Sequence, residues 1–177
     1  MAVSEKDLMS ASNHLFYEIW MFYETAGILK RDPQNNAVFT NVHLESFAIH
    51  SRVLLDFFYN EPKQDDVVAI HYIKNWKDLC PAIGDDLKKI SPRVGKEVAH
   101  LTYARLQVTP EAKSWDTRAV EREMELVIKK FQSNAPHNLI VEKLFQLKPA
   151  QGLIAPTPTT SAQRFYATNT GAWLYRP

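Results

Sequence analysis

The chain has 177 residues, 45% hydrophobic and 23% charged, the size and balance of one globular domain with a real core. Five glycines are too few for a turn-rich sheet protein or a glycine-rich phosphate loop, and a net charge of +1 disfavours a strongly electrostatic nucleic-acid binder. The one cysteine, Cys80, excludes an internal disulfide and a multi-cysteine metal site; MAVSEKDL lacks a signal layout and no apolar run reaches the roughly 18–20 residues of a membrane span, so a cytoplasmic protein without membrane contact is expected.

Ser4 followed by Asp7 has the chemistry of a capping box and opens a helix predicted to run to about Lys30. Leu8, Leu15, Ile19, Phe22, Ala26 and Leu29 recur at helical spacing, and Phe16, Trp20 and Tyr23 widen the stripe into a face that packs on two sides. The segment from Arg31 to Asn36 turns the chain. A second helix is predicted over Asn41–Tyr59, with Phe47, Leu54 and Phe58 on its apolar stripe and Leu44, Val53 and Phe57 beside it. This helix also carries His43, Glu45, His50, Arg52 and Asp56. Glu45, Arg52 and Asp56 form a second stripe, so the charges must be paired or line a wet cleft.

Asn60-Glu61-Pro62 stops that helix, and a short one is predicted from Val67 to about Trp76, although Val67, Val68, Ile70 and Ile73 also suit a strand. Ala82 to Lys89 reads as one or two helical turns after Pro81. Ser91-Pro92 is a start signal for a helix over Arg93–Leu106, with Val94, Val98 and Leu101 along one side. A third long helix, about Thr117 to Phe131, points Val120, Met124, Val127, Ile128 and Phe131 inward and leaves Glu121, Glu123 and Glu125 solvated. Asn134-Ala135-Pro136 begins a last short helix through Leu147. The expectation is an all-α bundle of four to five principal helices over residues 1–147, with short additional helices. Residues 148–177 are rich in proline and small residues and form an extended tail, in which Phe165, Tyr166, Trp173 and Tyr175 favour docking on the bundle.

Within Arg93-Val94-Gly95-Lys96-Glu97-Val98-Ala99-His100 the arginine and histidine fall two helical turns apart, about 10 Å along one face. Arginine holds a phosphate and histidine moves a proton, so both could address one phosphodiester. An arginine followed by a histidine on a late helix of an all-α bundle resembles the HEPN superfamily, as do HSRVLLDFF and KEVAHLTYAR. The resemblance implies a small helical bundle of bacterial type, often a homodimer, with RNA or a protein as partner. It leaves two functions open: a non-catalytic interaction protein, or a metal-independent ribonuclease related to toxins or phage defence, whose catalytic pair would be Arg93 and His100.

His50, Arg52, Tyr103 and Arg105, joined by His100, would make an anion-binding cleft, with Asp56 as the carboxylate within it. The competing structural reading makes His100 a partly buried histidine bonded to Glu45 or Asp56, and makes Arg52 the shielded partner of those same acids. Metal is not expected: Glu97-x-x-His100 has no second copy and no His-Glu-x-x-His is present. No Gly-x-Ser-x-Gly turn supports serine catalysis, and no cofactor is called for.

Overall fold

Ser4 sets the first helix. Its hydroxyl accepts from the Asp7 amide at 3.1 Å, while the Asp7 carboxylate accepts from the Ser4 amide at 3.2 Å and its hydroxyl at 2.6 Å, the reciprocal box read from the sequence. In this computed structural model, which describes residues 4–31, 36–63, 65–103, 106, 109 and 114–149, α1 spans Glu5–Arg31. Its buried residues Leu8, Ser12, Leu15, Ile19, Phe22 and Ala26 recur at alternating steps of four and three. Trp20, expected to widen that buried face, is instead 42% exposed.

α2 spans Ala37–Tyr59 and starts before the expected Asn41, because the Asn36 side chain accepts from the amides of Val38 and Phe39 at 3.1 and 3.2 Å. The short connection returns α2 antiparallel to α1, so each residue beyond the turn meets one about equally far before it. Phe22 stacks on Phe47 with centroids 5.1 Å apart, and Glu18 meets His50. Phe47, Leu54, Phe57 and Phe58 are buried as expected, whereas Val53 is 41% exposed.

The segment after α2 forms neither the predicted single helix nor a strand. A 3-10 turn covers Ala69–His71 and a four-residue helix, α3, covers Trp76–Leu79. Two hydrogen bonds pin this crossing to the hairpin: the Tyr72 hydroxyl donates to the Leu8 carbonyl at 2.9 Å, and Trp76 Nε1 donates to the Phe58 carbonyl at 2.7 Å. Burial pushes the Tyr72 phenol up to about 12.

α4 spans Asp85–Arg93, so Ser91-Pro92 closes a helix rather than opening one. The true start lies at Gly84, where Glu123 from α5 (Thr117–Gln132) accepts from the Leu87 amide at 3.0 Å. A carboxylate at the positive end of a helix supplies the cap that Gly84 lacks. Pro92 has no N–H to give the carbonyl four residues back, and the chain beyond it widens into a π-helical segment, Val94–Ala99. His100 then leaves with extended backbone, so the predicted Arg93–Leu106 helix is not formed and Leu101 is 93% exposed.

α5 is capped by Asp116, whose side chain accepts from the Ala119 amide at 2.9 Å. Two of its glutamates are not simply solvated: Glu121 is buried and pairs with Lys30, and Glu123 caps α4. The last expected helix is split into a 3-10 turn, His137–Leu139, and α6, Glu142–Phe145. The Val141 amide donates to the buried Ser12 hydroxyl of α1 at 3.0 Å instead of continuing a helical ladder.

The core is centred on Phe131. Its ring meets Phe57, Phe58, Tyr72 and Trp76 edge-on, with centroids 5.3 to 5.9 Å apart. One aromatic from α5 thus joins α2, the crossing segment and α3. The architecture is all-α, with α1, α2, α4 and α5 as principal helices and no strand among the described residues. No helix among the described residues is long and apolar enough to cross a membrane. The docking expected of the four tail aromatics falls outside the described residues.

Candidate functional site

Arg93 ends α4 already engaged. Its Nε donates to both Glu97 oxygens at 3.1 and 3.2 Å, Nη2 donates to Oε2 at 3.0 Å, and Nη1 donates to the Ser114 carbonyl at 2.9 Å. The guanidinium lies 4.0 Å from the centroid of the Trp115 ring. Glu97 and Trp115 are both buried, so this is a clamp that fastens the segment before α5 onto the π-helical segment. Any phosphate bound by Arg93 would have to displace a bidentate carboxylate.

His100 is exposed, and its side chain forms no hydrogen bond or ion pair with a described residue. That differs from the partly buried histidine bonded to Glu45 or Asp56, because the widened turn and extended backbone carry it off the bundle. The α-helical face that was to align it with Arg93 is absent for the same reason. Tyr103 is 90% exposed, and Arg105 lies outside the described residues. His50 is not brought to them by any described contact.

His50 turns instead towards α1. Its Nδ1 lies 2.6 Å from Glu18 Oε2, and the edge of its ring system meets Tyr17 with centroids 5.7 Å apart at 77°. His50 was expected in the anion-binding cleft, with no carboxylate partner, and Glu18 was not foreseen. The signal was present in the hairpin: folding the two helices back on the turn between Arg31 and Ala37 places Glu18 against His50.

Arg52 and Asp56 do pair, Nε to Oδ2 at 3.7 Å, but their side chains are 43% and 47% exposed. The expected shielding is absent because the stripe faces outward. Such a pair is worth at most about 1 kcal/mol. Asp56 also accepts from Asn60 Nδ2 at 2.9 Å.

Asp56 lines a groove of about 540 Å³ between α1, α2 and the residues Lys63, Asp66, Val67 and Val68. Leu15, Val53, Leu54, Phe57 and Val68 line it with apolar surface, and Glu18, Asp56 and Asp66 supply carboxylates beside the bases His14 and Lys63. Its volume lies within the usual range of a ligand site. A second depression, about 300 Å³, has Cys80 and Tyr59 in its lining. Burial pushes the Cys80 thiol up, against a smaller lowering by its bond to Tyr59, so the thiolate a nucleophile needs is disfavoured. Among the described residues no group of three or more His, Cys, Asp or Glu is placed to hold a metal ion.

The remaining surface of note is apolar. Val38, Val42, Ile49 and Val53 stand at steps of four, seven and four along α2 and are 59, 57, 46 and 41% exposed. On α1, Tyr17, which touches His50 of α2, and Trp20 beside it are also exposed, at 45 and 42%. Comparisons with protein-family models, with curated proteins and with solved structures find no match.

Proposed function

We propose that this chain is a non-catalytic interaction module of HEPN-like build that pairs with a second copy of itself through the outer face of α2. The exposed aliphatic row Val38, Val42, Ile49 and Val53 carries the reading. A row at helical spacing, with Tyr17 and Trp20 also exposed on α1, is an interaction surface rather than scattered exposure. Charge supports self-pairing: an antiparallel match centred near Ile49 sets Glu45 opposite Arg52 of the second copy, twice by symmetry. The closed Arg93–Glu97–Trp115 clamp favours the non-catalytic reading over a ribonuclease, which needs a free guanidinium beside His100.

Sedimentation equilibrium and an RNA-cleavage assay with chelator present test both parts. The expected result is a dimer that Ile49→Glu converts to monomer, with RNA left intact. A wild-type monomer at tens of micromolar would remove the self-pairing. Chelator-resistant cleavage abolished by Arg93→Ala and His100→Ala would make the protein the nuclease.

A further inference from the structure

We infer that the groove between α1, α2 and the residues Lys63, Asp66, Val67 and Val68 is the binding site for the chain's own C-terminal segment around Trp173, an occupant distinct from the self-pairing above, with whose face the groove shares Val53. Apolar side chains share the groove with three carboxylates, Glu18, Asp56 and Asp66, against Lys63 and His14. Glu18 is held by His50 and Asp56 by Arg52 and Asn60, which leaves Asp66 as the acid for a cation, and its neighbour Val67 is 40% exposed. An apolar recess beside an acid suits an aromatic side chain flanked by a cation. Residues 150–177 supply that combination: they contain Phe165, Tyr166, Trp173 and Tyr175, the basic residues Arg164 and Arg176, and no Asp or Glu. Trp173-Leu174-Tyr175-Arg176 places two aromatics and an arginine within four residues. In the groove the aromatics would meet Leu15, Phe57 and Val68, and Arg176 would meet Asp66.

The point of departure is suitably placed. Leading up to Pro149, the chain lies on α1, where Val141 bonds to Ser12 and the Lys143 ammonium stands 4.2 Å from the Phe16 ring centroid. Ser12 and Phe16 share one face of α1, and the groove residues Ala11 and Leu15 stand on the next. Trp173 follows Pro149 by about 24 residues, which extend to about 80 Å. That is twice the roughly 40 Å length of α1, so reach is not limiting. Tethering also gives an effective concentration on the order of millimolar, enough to fill a weak site.

Incorporation of 5-fluorotryptophan into the full chain reads the site directly. Trp20, Trp76, Trp115 and Trp173 give four fluorine resonances, and Trp173→Phe identifies one of them. The expected Trp173 resonance lies away from that of a free peptide of residues 150–177, at every protein concentration. Val67→Lys, which puts a cation at the groove beside Asp66, returns it to the free-peptide position. Val42→Glu, on the outer face of α2, leaves it displaced; the Trp76 and Trp115 resonances report that each variant is folded. A wild-type Trp173 resonance at the free-peptide position overturns the inference, as does a displaced one that ignores Val67→Lys. Return to that position on dilution also overturns it, since it would mean the segment binds a second copy. Sedimentation of the same variants keeps the two readings apart: Val67→Lys leaves the self-association untouched, and Ile49→Glu leaves the Trp173 shift untouched.

Discussion

Arg93 decides more of the local structure than any other charged side chain at the end of α4. Its removal strands the buried Glu97 carboxylate and uncovers Trp115. Arg93→Ala is expected to cost about 2–3 kcal/mol, below the usual figure for a buried pair because the arginine side chain is 21% exposed. Glu97→Gln in that background should recover part of the loss, and urea midpoints at constant m check both. Asp7 makes a smaller, pH-dependent contribution. The Ser4 hydrogen bonds hold its carboxyl below the ordinary range, so the folded state binds its proton less readily than the unfolded chain. Its contribution is therefore complete above the unfolded carboxylate range and lost as pH falls through the folded value. Thermal melts from pH 7 to pH 2 should show the gap between wild type and Asp7→Ala closing on acidification; a gap constant across that span contradicts it. Two pairs close in sequence were legible beforehand, Ser4 with Asp7 and Arg52 with Asp56, while Arg93 with Glu97, equally close, was missed because Arg93 was matched to His100 on one α-helical face. Glu18, Glu121 and Glu123 were not legible, because their partners His50, Lys30 and Leu87 are distant in the chain.

Among the elements, α1, α2 and α5 were readable to within a few residues because each has long amphipathic periodicity and a cap made from its own sequence. α4 was not, because its cap comes from another helix. A Cβ on Gly84 would collide with the Glu123 carboxyl group. Gly84 has φ near −72°, so no left-handed strain is involved, and the flexible carboxylate can retreat. Retreat removes it from the Leu87 amide. Gly84→Ala and Glu123→Ala should each cost about 1 kcal/mol as lost capping. The second change should cost clearly less once the first is made, since both remove one interaction. Chemical denaturation of the two single variants and the double variant gives that cycle; strict additivity refutes the shared cap. The candidate site was half legible for a similar reason. The charged stripe on α2 was visible, but its outward orientation depends on where α1 and α4 cover the helix.

At the scale of the molecule, the fold is a helical hairpin closed by aromatic contacts. Phe131 is fully buried and touches four aromatic rings from three other segments. Phe131→Ala removes the common member and is expected to cost about 3–5 kcal/mol, against under 2 kcal/mol for Phe131→Leu, which keeps most of the volume. Near-ultraviolet circular dichroism and denaturant unfolding check this, and an alanine variant with unchanged aromatic signals opposes it. The wide segment Val94–Ala99 can be viewed, in the same frame, as an α-helix carrying one surplus residue. The wider turn absorbs that residue, so deleting Gly95, which has open space around its Cβ position, would return the segment to ordinary spacing with little rotation of the chain beyond it. Glu97 would then follow Arg93 by three residues instead of four, still within one turn of the arginine it neutralises. The bulge is thus a buffer for length: the helix takes up one residue here without passing a rotation on to the chain that follows.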